Sequence, residues 1–142
     1  MVKLVRFITI VGVVLLLTAC PETVNKRDLD ISILNNSNED IFWLMRSKEN
    51  GEWYEIASIH SYMGDINKNK IISGDMYIEK RFDSDAINAL FQKGWIKYYL
   101  FNYDSIKNIP WERICSERII LKEVTFNSWD DFERCNFEIT YP

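Results

Sequence analysis

A chain of 142 residues with 21 acidic against 17 basic side chains has a formal charge of −4, and it holds five Trp, seven Tyr and eight Phe. The acidic balance disfavours nucleic acid, whose affinity comes mainly from neutralised phosphates, and disfavours adhesion to anionic lipid heads by charge. The length fits one domain, and aromatic side chains that bury about 150–250 Å² each supply a substantial core.

Lys3 and Arg6 precede an apolar run from Phe7 to Leu17, and Pro21-Glu22-Thr23 opens a polar stretch behind it. A basic start, a short apolar run and small residues at its end predict a secretory signal over residues 1–19, removed on maturation. The run is shorter than the ~20 residues a spanning helix needs. Leu17-Thr18-Ala19-Cys20 resembles the lipobox of bacterial lipoproteins. That resemblance implies a diacylglyceryl group on the Cys20 sulfur and a third, palmitate-type chain on its nitrogen. Two or more chains hold a protein stably to a bilayer. Residues 20–28 are then the lipidated N-terminus and tether, and 29–142 a single globular β-rich domain. Loss of Lys3 and Arg6 takes the charge from −4 to −6. In the enterobacterial sorting pattern an Asp after the cysteine retains a lipoprotein at the inner membrane, and Pro21 departs from it. The expected location is therefore the outer membrane, facing the periplasm, with the cell surface as the alternative.

Asp30–Leu34 alternates with period two and stops at the turn signal Asn35-Asn36-Ser37-Asn38. Ile41–Met45 is a second strand, apolar on both faces and therefore central. The two form a hairpin or a sheet-to-sheet corner. Glu49-Asn50-Gly51 marks a turn before an expected third strand, Glu52–Ile56. From Ser58 to Gly74 the pattern weakens into what reads as the longest exposed loop, and long loops often carry function. Met76–Phe82 returns to strand. Asp83-Ser84 caps a helix carrying Ile87, Leu90 and Phe91, with Gly94 as its stop. Trp95–Phe101 is the strongest strand, ended by Asn102-Tyr103-Asp104. Pro110 opens a short helix over Trp111–Cys115, Arg118–Thr125 reads as strand, and Ser128-Trp129-Asp130-Asp131 has capping-box form for a helix to Arg134. Phe137–Tyr141 alternates as a final strand. The tally predicts a mainly β fold, an antiparallel β-sandwich of about seven strands with two or three short helices. The alternative is an α+β fold, a single antiparallel sheet with helices on one face.

Asn35-Asn36-Ser37, Tyr98-Tyr99-Leu100-Phe101, Trp111, Arg118-Ile119-Ile120-Leu121 and Ile139-Thr140-Tyr141-Pro142 resemble small lipoproteins of the Bacteroides group. The resemblance implies a β-rich, membrane-tethered domain without an assigned activity and carries over no catalytic residue. Many of those proteins lack Cys115 and Cys135.

Those two cysteines remain after Cys20, and in an oxidising compartment they could close a loop of about 20 residues. The other reading makes both small apolar fillers. His60 is the only histidine and has no nucleophile-elbow glycines around it. One His and two distant Cys do not make a zinc site, and neither a phosphate loop nor another cofactor signature is present, so no metal or cofactor is expected. The acidic pairs Asp28 with Asp30, Glu39-Asp40, Asp83 with Asp85 and Asp130-Asp131 could serve a glycosidase only if two faced each other at about 5–9 Å. Each also fits a turn or a helix cap.

Trp53, Tyr54, Tyr62 and Tyr77 fall in or near the weakly patterned region, where exposed aromatics stack on sugars or anchor a protein partner. Their other reading is core lining, which alternation assigns to Trp43 and Trp95. Trp53, Tyr54, His60, Tyr62 and Asp65 make up the candidate interaction surface. The expectation is a membrane-anchored, non-enzymatic binding or interaction module with a protein or glycan partner. Alternatives are an inhibitor or immunity-type lipoprotein meeting a basic enzyme, a carboxylate-based envelope hydrolase, and a structural envelope component.

Overall fold

Alternation in the first segment puts Ile31 and Ile33 on one side and Ser32 and Leu34 on the other. It forms strand β1 (Leu29–Asn35) in the computed structural model, which describes residues 29–142. The expected signal segment 1–19 and the expected lipidated tether 20–28, with Cys20, lie outside the described residues. β1 pairs antiparallel with β4 (Met76–Phe82), Ile33 opposite Tyr77, and parallel with β7 (Glu138–Tyr141), Ile33 opposite Ile139. A second, fully antiparallel sheet runs β3 (Lys70–Ile71), β2 (Ile41–Ser47), β5 (Ile96–Asn102), β6 (Lys122–Phe126). The expected sandwich of about seven strands is thus present as sheets of three and four. The parallel β1–β7 pair makes the smaller sheet mixed. β1 and β2 are not a hairpin; the chain changes sheets between them.

The near-continuous apolar runs of β2 and β5 follow from burial on both faces. Ile41, Trp43, Ile96, Tyr98 and Leu100 meet Ile31, Ile33 and Ile139 of the smaller sheet in one core. Phe42, Leu44, Tyr99 and Phe101, one residue out of phase, form a second core with helical residues on the opposite face. The molecule is therefore three layers, sheet on sheet on helices. The single-sheet alternative is not what forms, although helices do cover the outer face of the larger sheet. Trp43 is buried as alternation requires, whereas Trp95 is only half-buried, with Lys97 Nζ 4.7 Å from its ring centroid.

The described residues hold more helices than the two or three expected, and not all lie in the helical layer: Ile87, Leu90 and Phe91 of Ser84–Lys93, and Trp129 and Phe132 of Trp129–Arg134, pack in the inter-sheet core instead. Among the described residues there are five α-helices: α1 (Ile59–Met63), α2 (Ser84–Lys93), α3 (Tyr103–Asn108), α4 (Trp111–Glu117) and α5 (Trp129–Arg134). Three 3-10 turns accompany them, Lys48–Asn50, Trp53–Glu55 and Ile66–Asn69. Asp83 Oδ1 accepts the Asp85 N–H at 2.9 Å at the start of α2, and Gly94 ends it with a φ of 141° that side chains rarely adopt. The Ser128–Asp131 capping box opens α5 as expected. Asn102, read as a strand end, is also the cap of α3, its Oδ1 accepting from Ser105 N–H at 2.9 Å.

Two segments depart from the strand expectation. Glu52–Ile56 forms a 3-10 turn, because the Glu52 and Glu55 side chains cap it reciprocally and Trp53 turns inward. Arg118–Thr125 becomes strand only from Lys122: Arg118 takes a left-handed conformation that closes α4, and Ile119 and Ile120 pack on the helical core.

The Cys115–Cys135 bond is not formed. Cys115 packs in the helical core and Cys135 against the inter-sheet core, so the central sheet separates the two free thiols. A bond requires Cα atoms within about 7 Å. Burial, with Glu112 nearby, raises the Cys115 thiol pKa. Alkylation under denaturing, non-reducing conditions should therefore label both Cys115 and Cys135. Peptide mapping that finds them linked would refute this arrangement.

Candidate functional site

The weakly patterned region Ser58–Gly74 is not a structureless loop; it carries α1, a 3-10 turn and β3. Ser58 caps α1, Gly64 ends it with φ 71°, and Ile59 anchors it in the helical core. His60, Ser61 and Tyr62 consequently face outward. A shallow groove of about 340 Å³ lies along α1, lined by Arg46, Ile56, Ala57, Ser58, Ser61 and Tyr62. A second, of about 270 Å³, separates α1 from the α3–α4 connection, with His60, Lys107, Pro110 and Glu112 on its walls. Ser58 contributes to both.

Arg46 is the unusual member of this set. It shares the helix-facing side of β2 with Phe42 and Leu44, and only 5 % of it is exposed. Its Nε donates to the Gly51 carbonyl at 3.0 Å, and its guanidinium carbon lies 5.0 Å from the Tyr62 ring centroid. Among the described residues no carboxylate stands within ion-pair distance of it. Glu55 Oε2 lies on the same side of Gly51 as the guanidinium, Arg46 Nη2 being 3.8 Å from where a Gly51 Cβ would stand, but it accepts the Glu52 N–H at 2.9 Å and forms no ion pair with Arg46. Gly51 itself has φ 76°, and a Cβ there would stand 2.0 Å from Glu55 Oε2, so the turn that holds the guanidinium needs a glycine.

The expected surface residues part company. Trp53 is 2 % exposed and lies in the helical core, its ring centroid 5.3 Å from Phe101 and 5.7 Å from Trp111. It is core, because the 3-10 turn aims it inward where a strand would have placed it at an edge. Tyr54, 42 % exposed, lies against the Arg118 guanidinium and lines neither groove. Tyr62, 47 % exposed, and His60 do meet on α1, one in each groove. Asp65 accepts from the Asn67 backbone N–H and side-chain amide, both at 2.9 Å, as the cap of the next turn. Tyr77 lies at the inter-sheet core, 5.0 Å from the Trp43 ring centroid, and donates to Glu79. Arg46 was missed, although a lone arginine in phase with Phe42 and Leu44 signals a cation on a buried face.

The acidic pairs have structural partners. Asp40 bridges Lys70 at 2.7 Å, Glu39 accepts from Asn102 at 2.6 Å, and Asp83 and Asp131 cap α2 and α5. Asp28 lies outside the described residues. Among the described residues no group of three His, Cys, Asp or Glu could hold a metal ion, and no helix is long and apolar enough to cross a membrane.

The tightest polar cluster is Glu52, which accepts from Lys97 at 2.8 Å and from the Tyr99 hydroxyl, while Lys97 also bridges Glu123 at 2.9 Å. Burial raises the Glu52 pKa, but the hydrogen bonds from Lys97 and Tyr99 outweigh it and hold the carboxyl below its ordinary value. Lys70 likewise lowers Asp40, and the Asn127 backbone N–H lowers Asp131. A carboxyl whose pKa is lower folded than unfolded adds stability that is complete above its unfolded value and is lost as pH falls through its folded one. Stability should therefore fall from about pH 4.5 downward. Urea titrations of Glu52→Gln should show a shallower decline, and an unchanged slope would remove Glu52 from this account.

Comparison with protein-family models, with curated proteins and with solved structures finds no match to this chain, so the reading of its function rests on its own residues and geometry.

Proposed function

We propose that this is a lipid-anchored envelope domain that works by binding, without catalysis, and that its contact face is α1 with the two grooves beside it. The observation that carries this reading is the side-by-side placement of the grooves about one exposed helix, with Tyr62 and Arg46 in one and His60 in the other. An aromatic and an arginine in a concave surface are the residue types that most often anchor a partner. The partner is a protein or a glycan. Acyl chains on Cys20 would hold this face near a bilayer, at the outer membrane facing the periplasm.

Cross-linking in the protein's own cells, with a photo-reactive residue at Ser61, tests the contact face. A partner captured from Ser61, and not from Thr125 on β6, supports it. Capture from neither position, or from both alike, overturns it. The anchor is tested by palmitate labelling, which should reach the wild-type chain and vanish in Cys20→Ser.

A further inference from the structure

A guanidinium stays charged at any physiological pH, and burying it is costly unless its donors are matched. Arg46 meets this demand only in part. Nε is bound to the Gly51 carbonyl at 3.0 Å and one face of the group is covered by Tyr62. Neither Nη nitrogen has a hydrogen bond or an ion pair among the described residues, and the side chain lines an open groove. We propose that Arg46 is the recognition residue for a carboxylate, carried on an apolar or aromatic body, that enters the groove along α1. This rests on the binding reading and names the ligand chemistry for it.

Three features of the groove select that chemistry. The guanidinium fork matches the two oxygens of a carboxylate, and the bound Nε fixes its plane, so the fork is offered without reorganisation. No second basic residue lines the groove and the Glu55 carboxylate stands near Arg46 Nη2 at the Gly51 turn, so the second charge of a phosphate has no counter-ion there. The remaining walls, Ile56, Ala57 and the Tyr62 ring, are apolar and favour an apolar body over a sugar. Ser61 and Ser58 stand at the rim; Ser58 Oγ accepts the Ser61 N–H at 3.5 Å, which leaves its own proton to donate. The carboxylate can come from a small free acid or from the C-terminus of a polypeptide.

The full-length chain in detergent micelles, followed by NMR of the Arg46 Nε–H and the Tyr62 ring, tests this. The probes are benzoate, N-acetyl-Ala-Phe as free acid, the same peptide as its C-terminal amide, and inorganic phosphate. Saturable shifts of both signals are expected with benzoate and the free-acid peptide, and neither with the amide nor with phosphate. Tighter binding of benzoate points to a free acid, and tighter binding of the peptide to a chain terminus. Arg46→Gln should weaken binding at least tenfold, and Ser61→Ala, at an exposed position, about two- to threefold. Response to the amide equal to that of the acid, preference for phosphate, no saturable shift, or wild-type affinity in Arg46→Gln would each overturn the assignment. Should Arg46→Gln fail to fold, unchanged benzoate affinity in both Ser61→Ala and Tyr62→Ala overturns it, and weakened affinity in either supports it. Capture of a partner from Ser61 together with failure of every carboxylate would reject this inference and leave the binding face standing.

Discussion

Replacing Trp53 with alanine should destabilise the domain by about 4 kcal/mol in urea unfolding, as large-to-small changes at buried tryptophans do. The indole is 2 % exposed, and the Tyr99, Phe101 and Trp111 rings surround it at centroid distances of 6.2, 5.3 and 5.7 Å. Trp111 is held in turn by a hydrogen bond from its Nε1 to the Ile56 carbonyl at 2.7 Å. That bond ties the 3-10 turn to α4, so the cavity left by alanine cannot close without moving the turn. Trp53→Phe should recover about half of the loss by refilling part of the volume. A surface tryptophan would behave differently, with a change of about 0.5 kcal/mol or less. That small value for Trp53→Ala would return Trp53 to the interaction surface and dismantle the helical core as described.

Asn35→Ala is expected to lose about 3 kcal/mol through hydrogen bonds rather than volume. The residue is 0 % exposed at the end of β1. Its Nδ2 donates to the Glu39 carbonyl at 2.7 Å and to the Ile71 and Ile72 carbonyls at 3.2 Å each, two protons shared among three acceptors. Its Oδ1 accepts from the Ser37 backbone N–H at 3.1 Å and the Ser37 hydroxyl at 2.6 Å. One amide thus shapes the corner after β1 and fastens the smaller sheet to β3 of the larger one. Asn35→Asp separates shape from donor chemistry, because it keeps the size and the acceptor but turns an oxygen toward three carbonyls. It should cost at least as much as alanine at pH 7. An Asn35→Asp variant as stable as wild type in thermal unfolding would show that the Nδ2 bonds do not hold the corner.

Most elements were legible because their causes lie within a few residues. Ile31 and Ile33 alternate with Ser32, Asp83 and Ser128 stand before apolar helical spacings, and Gly94 ends α2 where no other residue fits well. The missed helices had such signals too. Asn102 before Tyr103 and Ile106 is a cap followed by a three-residue apolar spacing, obscured by the strong strand just ahead of it. Ser58 and Gly64 bracket α1, but five residues leave little periodicity to detect. Glu52–Ile56 misled because two aromatics favour strand by propensity, whereas the paired Glu52 and Glu55 side chains decide the local backbone.

What the sequence determined by itself was most of the strands and the capped helices, their β-rich character, and the apolar double face of β2 and β5, all of which follow from spacing along the chain. Only tertiary structure decided which side of each strand meets a sheet and which meets helices. It also decided that β1 lies parallel to β7, and that Cys115 and Cys135 fall on opposite faces of one sheet. The candidate site belongs to that second class. Arg46 comes from a central strand, Gly51 from a turn and Tyr62 from α1, and their meeting depends on how the helical layer seats against Phe42, Leu44 and Phe101. Contacts between separate segments leave no periodicity in either one, which is why a buried arginine opening into a groove became visible only in three dimensions.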